Sequence, residues 1–369
     1  MDPESDRHSA DDVCGLERPG GNAAVPSLSA GGGIRGGHRT LYSEFLHLSS
    51  AEDGEASAYY DRYREADIMA VRNLLYCALL YLLALAALFF RPAAGTEITF
   101  LDVGQGDGIF IRSGGCDMLI DCGSSSEKKI GENTLIPFLK SRGAGKLDAV
   151  FITHADSDHM NGVEQMLAEG SIRVENLFLP YCAEGNEAYA EIAAAAEKAG
   201  AGVRYFAAGG LVRSGKGQLR CLSPEKTQGA ENVPREEVPS DQAVDDRNEQ
   251  SLVLEYSEGG FKALFMGDAG KDTERRILEK YDLTGQCILK AGHHGSATST
   301  SDELLREADP ALAVLSYGKK NRYGHPAQET LDALDSFGVR HLDTPECGAI
   351  SIFLQKEGIK AVRFLSREK

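Results

Sequence analysis

Tryptophan is absent from this 369-residue chain, and its eight cysteines, at positions 14, 77, 116, 122, 182, 221, 287 and 347, include no C-x-x-C pair. That spacing argues against a structural zinc knuckle. The thiols are left as buried free groups or, if the second part of the chain lies outside the cell, as one or two disulfides of unspecified pairing. A basic excess is missing as well. The 39 Lys and Arg face 56 Asp and Glu, a formal charge of −17, and neither side of residue 97 is net basic. A protein that grips nucleic acid nonspecifically carries a basic footprint. Bulk charge therefore gives no support for a nucleic-acid substrate, although two bound divalent cations would return positive charge locally.

Long apolar runs are lacking too, except one. Residues 74–90 carry no charge, and with 68–71 added only Arg72 interrupts a stretch long enough to cross a bilayer. A buried core helix is the alternative. A cleaved signal peptide fits poorly, because a long polar segment precedes the run. Arg62, Arg64 and Arg72 stand on its N-terminal side and Arg91 nearly alone on the other. That bias places the N-terminus in the cytoplasm and the chain beyond Arg91 outside, with 68–91 as a single-pass signal-anchor in a bacterial cell membrane.

The residues present support a folded domain after this anchor. Hydrophobic residues make up 42% of the chain and glycines number 41, enough for a sizeable core joined by many turns. Residues 1–67 are Gly-rich and polar without a sustained hydrophobic period and read as disordered, with 40–48 as a candidate short amphipathic helix. From residue 97 the texture alternates. Strands are expected at 98–101, 108–112, 118–120, 147–152, 176–179, 203–206, 218–223, 251–256, 262–266, 287–290 and 311–316, and near 340, 350 and 362. Helices are expected at 160–168, 187–199, 272–279, 302–307 and 327–337, and the acidic, Pro-containing stretch 227–248 as a mobile surface loop. The pattern predicts an α/β domain over 97–369 with two sheets sandwiched between helices.

The chemistry concentrates where the strand at 149–152 ends in His154-Ala155-Asp156-Ser157-Asp158-His159. Two histidines and two aspartates on one strand-end loop repel one another and stay poorly solvated unless a cation holds them. A solvated acidic loop is the plainer alternative, and the interleaved histidines argue against it. Gly162, Val163, Met166 and Leu167 beyond it read as a helix whose N-terminus favours nearby carboxylates.

This H-x-D-x-D-H run resembles the H-x-H-x-D-H metal motif of the metallo-β-lactamase superfamily, with Asp156 in place of the second histidine. Leu101-Asp102-Val103-Gly104-Gln105-Gly106-Asp107 is similar to the opening of the hydrolase domain of ComEC-type DNA-uptake (competence) proteins, and Leu119-Ile120-Asp121-Cys122-Gly123 to the strand after it. The segment 248–254, Gly267-Asp268, the stretch from Lys290 through His293-His294 to Ser296, and Tyr323-Gly324-His325-Pro326 continue the pattern in order. The resemblance implies the metallo-β-lactamase αββα sandwich, two mixed β-sheets flanked by helices. It also implies two divalent metal ions: His154 and Asp156 on one, Asp158 and His159 on the other, Asp268 bridging both, and His293 completing a site.

By the same resemblance, Asp158, His294 and Asp107 form the catalytic group, with His294 as a general acid or a donor beside the ligands. Asp121 braces a ligand histidine. Asp107 and Gln105 lie in a glycine turn that either approaches the metal edge or is structural. For His325, ligand, phosphate contact and structural turn stay open. Lys290 and the run Lys319-Lys320-Asn321-Arg322 contact a phosphate chain or, for the run, form a solvated face. Ser251 and Ser296 join the candidate polar lining. Asp156, and the presence of Asn248 and Ser251 where many members place a third histidine, make the ligand set oxygen-rich, suited to Mn²⁺ or Mg²⁺ as well as Zn²⁺.

The implied activity is a membrane-anchored, extracytoplasmic phosphodiesterase that hydrolyses single-stranded DNA with a metal-activated hydroxide, in the context of DNA uptake. With one apolar span the chain would act beside a separate DNA-uptake channel or serve another purpose. The alternatives are hydrolysis of a small substrate (lactone, β-lactam or phosphoester) at the same site, or a non-catalytic binding module.

Overall fold

The computed structural model describes residues 53–89, 95–226, 247–355 and 358–364. The chain divides into two units, Met1–Phe89 and Phe90–Lys369. In the first, α1 (Asp53–Phe89) is one unbroken helix. Its stretch Tyr63–Ala86 is long and apolar enough to cross a membrane, and Leu74, Leu75, Leu80 and Tyr81 along it are exposed. Residues 53–67, expected to be unstructured, are helical. Their Ala, Glu, Arg and Tyr continue a nucleated helix at little cost, because each added residue then gains a hydrogen bond. Residues 1–52, the 40–48 segment included, lie outside the described residues, as do 90 and 91 of the expected anchor and 227–246 of the expected loop.

The second unit opens with β1 (Glu97–Phe100), β2 (Gly108–Ser113), β3 (Cys116–Cys122), α2 (Ile136–Ser141), β4 (Lys146–Leu147), β5 (Ala149–Phe151) and α3 (Ser157–Glu169). It continues through β6 (Arg173–Val174), β7 (Asn176–Pro180), α4 (Ala190–Lys198), β8 (Gly202–Phe206), β9 (Leu211–Ser214) and β10 (Gly217–Ser223). Next in the chain are β11 (Val253–Glu258), β12 (Phe261–Phe265), α5 (Lys271–Leu278), β13 (Ile288–Lys290), α6 (Asp302–Ala308) and β14 (Leu312–Leu315). The last elements are α7 (Gln328–Ser336), β15 (Arg340–Asp343), α8 (Thr344–Cys347), β16 (Ile350–Gln355) and β17 (Gly358–Arg363).

One sheet runs β17-β16-β1-β2-β3-β5-β7-β8 and the other β15-β14-β13-β12-β11-β10-β9, with β4 and β6 as a small separate pair. Both are mixed. β3, β5, β7 and β8 are parallel neighbours in the first, and β12 to β15 in the second. Period-two alternation sorts each strand between two cores. On β3, Met118 and Ile120 pack between the sheets with Phe151, Leu254 and Phe265, whereas Leu119 faces α2, α3 and α4 through Leu139, Val163 and Ile192. Leu264, Leu289 and Ala313 of the second sheet meet Ile277, Leu304 and Leu334 of α5, α6 and α7. Each large apolar side chain so buried contributes about 1.5–3 kcal/mol. The result is the expected αββα layering. The strand expected at 147–152 is divided at Asp148, whose carboxylate accepts from Asp117 N–H, so its halves join different sheets. The seven described cysteines are free thiols.

Candidate metal centre

Strand ends deliver the candidate residues to one place. β5 runs out to Thr153 and His154, and α3 starts at Ser157 with Asp156 at its N-cap, so Asp158 and His159 lie in its first turn. That start is earlier than expected, and it suits an acidic first turn facing the helix dipole. β3 ends beside Asp121, β12 beside Asp268, β13 beside His293 and His294, and β14 beside Ser316. Two glycines let the loops close. A Cβ on Gly106 would lie 2.5 Å from the Asp158 carbonyl oxygen, and one on Gly123 would lie 2.4 Å from the His159 nitrogen. The turn before β2 can therefore press on α3, where the Asp107 N–H donates to the Asp158 carbonyl at 3.1 Å.

Three buried imidazoles are aimed by their Nδ1 atoms. His159 Nδ1 donates to Asp121 Oδ2 at 2.9 Å. Thr153 gives that carboxylate two further bonds, from its N–H at 2.8 Å and its hydroxyl at 2.7 Å. With its proton committed, the Thr153 hydroxyl accepts from His154 Nδ1 at 3.1 Å. His294 Nδ1 donates to the Ser316 carbonyl at 2.9 Å. In each ring the bond made by Nδ1 leaves Nε2 as the nitrogen that faces the centre and can be offered to a cation. The three Nε2 atoms, with Asp268 Oδ1, are buried and have no hydrogen-bond partner.

Those atoms converge. His159 Nε2 lies 3.2 Å from Asp268 Oδ1, and His294 Nε2 lies 3.6 Å from Asp268 Oδ2 and 3.7 Å from Asp158 Oδ2. His154 Nε2 is 3.8 Å from Asp268 Oδ2 and 3.7 Å from Asp156 Oδ2. Two donors each about 2.1 Å from one tetrahedral ion stand roughly 3.4 Å apart. The gaps are thus those of a coordination shell, and the residues fit divalent cations.

Electrostatics point the same way. Burial pushes the Asp268 carboxyl up, but His294 and His159 more than offset it and hold it well below the usual range. Burial lowers His294, and Asp268 and the contact to Asp107 outweigh that, pushing it up to about 10. His159 is likewise raised well above its ordinary value, against burial, by Asp268 and Asp121. Asp107 is held low despite full burial, first by Lys290, whose Nζ lies 2.7 Å from Asp107 Oδ2, and then by His294. This is a pocket of carboxylates that attracts positive charge.

The remaining residues divide. Lys290 is fully buried between Asp107 and the Ala291 carbonyl, so it braces the site from inside and presents no ammonium to a phosphate. His293 is more exposed than His294, its Nε2 3.9 Å from Asp268 Oδ2. Both adopt left-handed backbone, as does Asp121, a strain that clusters at functional loops. His325 stands with its ring centroid 5.4 Å from that of His293, and burial with the nearby His293 and His294 lowers it to about 4. Gln105 ties two loops together, its Oε1 accepting from Gly318 N–H at 3.0 Å. Ser251 is buried with an unpartnered hydroxyl, as is the Asn248 Oδ1 atom. Ser296 reaches the centre only through Thr298, which lies 3.5 Å from His293 Nδ1.

Sequence reasoning missed three participants. Thr153 is flagged only by sitting beside His154, and Ser316 acts through a carbonyl that any residue offers. Arg247, whose guanidinium lies 3.3 Å from Asp156 Oδ1, precedes the 248–254 segment and reads there as one more surface charge.

Residues 101–319 match the metallo-beta-lactamase superfamily. ComE operon protein 3 of Bacillus subtilis is 31% identical over 290 residues, 74% of this chain and 34% of that protein. Competence protein ComA of Neisseria gonorrhoeae is 29% identical over 281 residues, 74% of this chain and 35% of its own length. Recombination protein 2 of Haemophilus influenzae is 28% identical over 288 residues, 76% of this chain and 32% of its own length. The chain thus spans about a third of the length of these relatives. With the extent of the family match, the αββα layers and the convergent histidines and carboxylates in agreement, the chain belongs to the metallo-β-lactamase superfamily.

Proposed function

We propose that residues 97–369 form a metal-dependent phosphodiesterase that hydrolyses single-stranded DNA, anchored by α1 with the domain on the outer side of a bacterial membrane and working beside a separate DNA-uptake channel. One observation carries the hydrolytic reading: the unpartnered, buried Nε2 atoms of His154, His159 and His294 converge on the two oxygens of the Asp268 carboxylate. DNA is favoured because one of the relatives is named a competence protein and another a recombination protein. The exposed apolar side chains of α1 support the anchor.

His154, Asp156 and Asp268 would hold one divalent ion, and Asp158, His159, His294 and Asp268 the other, with Mn²⁺, Zn²⁺ or Mg²⁺ compatible with the mixed nitrogen and oxygen donors. Such ions supply Lewis acidity, which activates water and stabilises charge building on phosphate oxygens. The chain's own residues prepare the site. Asp121 and Thr153 fix the tautomers of His159 and His154. Ser316 orients His294, while Asp107, pinned by Lys290, keeps a negative charge 3.6 Å from His294 Nδ1. Arg247 balances Asp156.

The test uses the full chain, Mn²⁺ and end-labelled single-stranded DNA. Cleavage that Asp158→Ala abolishes supports the reading. No cleavage with any of several divalent metals, or cleavage indifferent to Asp158→Ala, overturns it; turnover of a lactone or β-lactam instead would assign the site to a small substrate.

A further inference from the structure

Between β14 and α7 the chain makes a turn that carries three exposed cations, Lys319, Lys320 and Arg322, in a protein whose formal charge is −17. The turn is built rather than loose. Asn321 Oδ1 accepts from Tyr323 N–H at 3.1 Å and His325 N–H at 2.9 Å, and its amide donates to the Gly318 carbonyl at 2.8 Å and the His325 carbonyl at 2.6 Å. Gly318 is bonded in turn to Gln105, beside Asp107. Held this way, Tyr323 stands 49% exposed. Its ring is stacked on His325, with centroids 5.7 Å apart and planes 23° from parallel, and His325 meets His293 at 5.4 Å. An aromatic ladder therefore descends from the surface to the metal centre.

Half of the Tyr323 surface stays open to a partner, and the cations around it repel a basic partner and attract a polyanion. We infer that Tyr323 is a stacking platform for an unpaired nucleobase next to the phosphodiester being cut, with Lys319, Lys320 and Arg322 on the neighbouring phosphates. Base–aromatic stacking is sequence-tolerant, because every base presents a π-face, and it requires a base that is not already buried in a duplex. The platform thus accounts for single-strand selectivity. Arg322 now lies over the Tyr323 ring, its guanidinium carbon 5.1 Å from the centroid, and donates to the hydroxyl at 3.1 Å. It is exposed, so an incoming base can displace it toward a phosphate or stack upon it.

This inference rests on the proposed DNA substrate, and its test separates the two. The metal-loaded full chain is given an oligothymidylate intact or with one abasic residue beside the cleavage point, as wild type, Tyr323→Phe and Tyr323→Leu. Stacking is worth about tenfold per base. Wild type and Tyr323→Phe should therefore lose about tenfold in kcat/KM, mainly through KM, on the abasic strand. Tyr323→Leu should lose about tenfold on the intact strand and nothing more on the abasic one. A 2-aminopurine at the same position should lose emission on binding wild type and Tyr323→Phe but not Tyr323→Leu. If Tyr323→Leu distinguishes intact from abasic strands as well as wild type does, the platform is wrong and the nuclease reading stands. If the emission tracks the ring but no strand is cut, the nuclease reading fails, and Tyr323 remains a base-stacking platform of a site that binds single strands without cutting them.

Discussion

Asp121→Asn isolates the tautomer control at the metal centre. The substitution keeps size and shape, and asparagine tolerates the left-handed backbone that Asp121 adopts at φ 52°. It changes the hydrogen-bond pattern and removes one negative charge beside His159. Asp121 accepts from three groups, Thr153 N–H, the Thr153 hydroxyl and His159 Nδ1, and it is buried where water cannot substitute. An amide turned one way sets its NH₂ against the Thr153 N–H, a donor facing an obligate donor. Turned the other way, the NH₂ faces His159 Nδ1, so the imidazole proton moves to Nε2, the atom 3.2 Å from Asp268 Oδ1 that should hold the ion. Either arrangement leaves a buried mismatch worth about 1–3 kcal/mol. Partners of this kind typically contribute 10–100-fold in metal affinity, and each tenfold is about 1.4 kcal/mol. Competitive titration of the full chain against a fluorescent chelator should therefore show Mn²⁺ affinity down about 10–100-fold, with circular dichroism unchanged. A variant that binds metal as tightly as wild type would refute the account of how His159 is aimed.

Other perturbations test the scaffold. Lys290→Met strands Asp107 in the interior and should cost about 3–5 kcal/mol in urea unfolding with chelator present, whereas Lys290→Met combined with Asp107→Leu should recover most of it. A single-variant cost below about 1 kcal/mol would mean the pair is not what holds Asp107. Gly123→Ala places a Cβ 2.4 Å from backbone of Asp158 and His159, so it should lose about 1–3 kcal/mol and weaken metal binding, and an unchanged Tm with unchanged metal titration would contradict the close approach.

The parts legible in the sequence are those written in contiguous residues. The His154 to His159 run announces itself because ligand chemistry sits within six positions on the end of an apolar strand. The two-sheet architecture emerges from alternation. The features that escape are written across distance or in the backbone. Ser316 serves His294 through its carbonyl, which has no side-chain signature. α2 is masked by Pro137, which is tolerated because it sits in the helix's first turn. β9 is four residues long and gains its strand character only by pairing with β10. Chain order alone cannot separate the adjacent His293 and His294, whereas consecutive left-handed backbone sends one ring into the buried centre and leaves the other beside His325.

Replacing a neutral histidine by Asp156 adds a negative charge to a pocket that already holds Asp107, Asp158 and Asp268. Self-repulsion among these would oppose folding before any cation arrived. The structure offsets each excess charge locally. Asp107 has Lys290 at 2.7 Å, and Asp156 has Arg247 at 3.3 Å. Asp156 and Arg247 together carry the same net charge as the histidine they stand in for, yet they present an oxygen donor instead of a nitrogen. The exchange swaps a nitrogen donor for an oxygen without altering how many charges a bound cation must neutralise. Asp156 is therefore understood only with Arg247, some ninety residues on and joined to it by nothing in the local sequence.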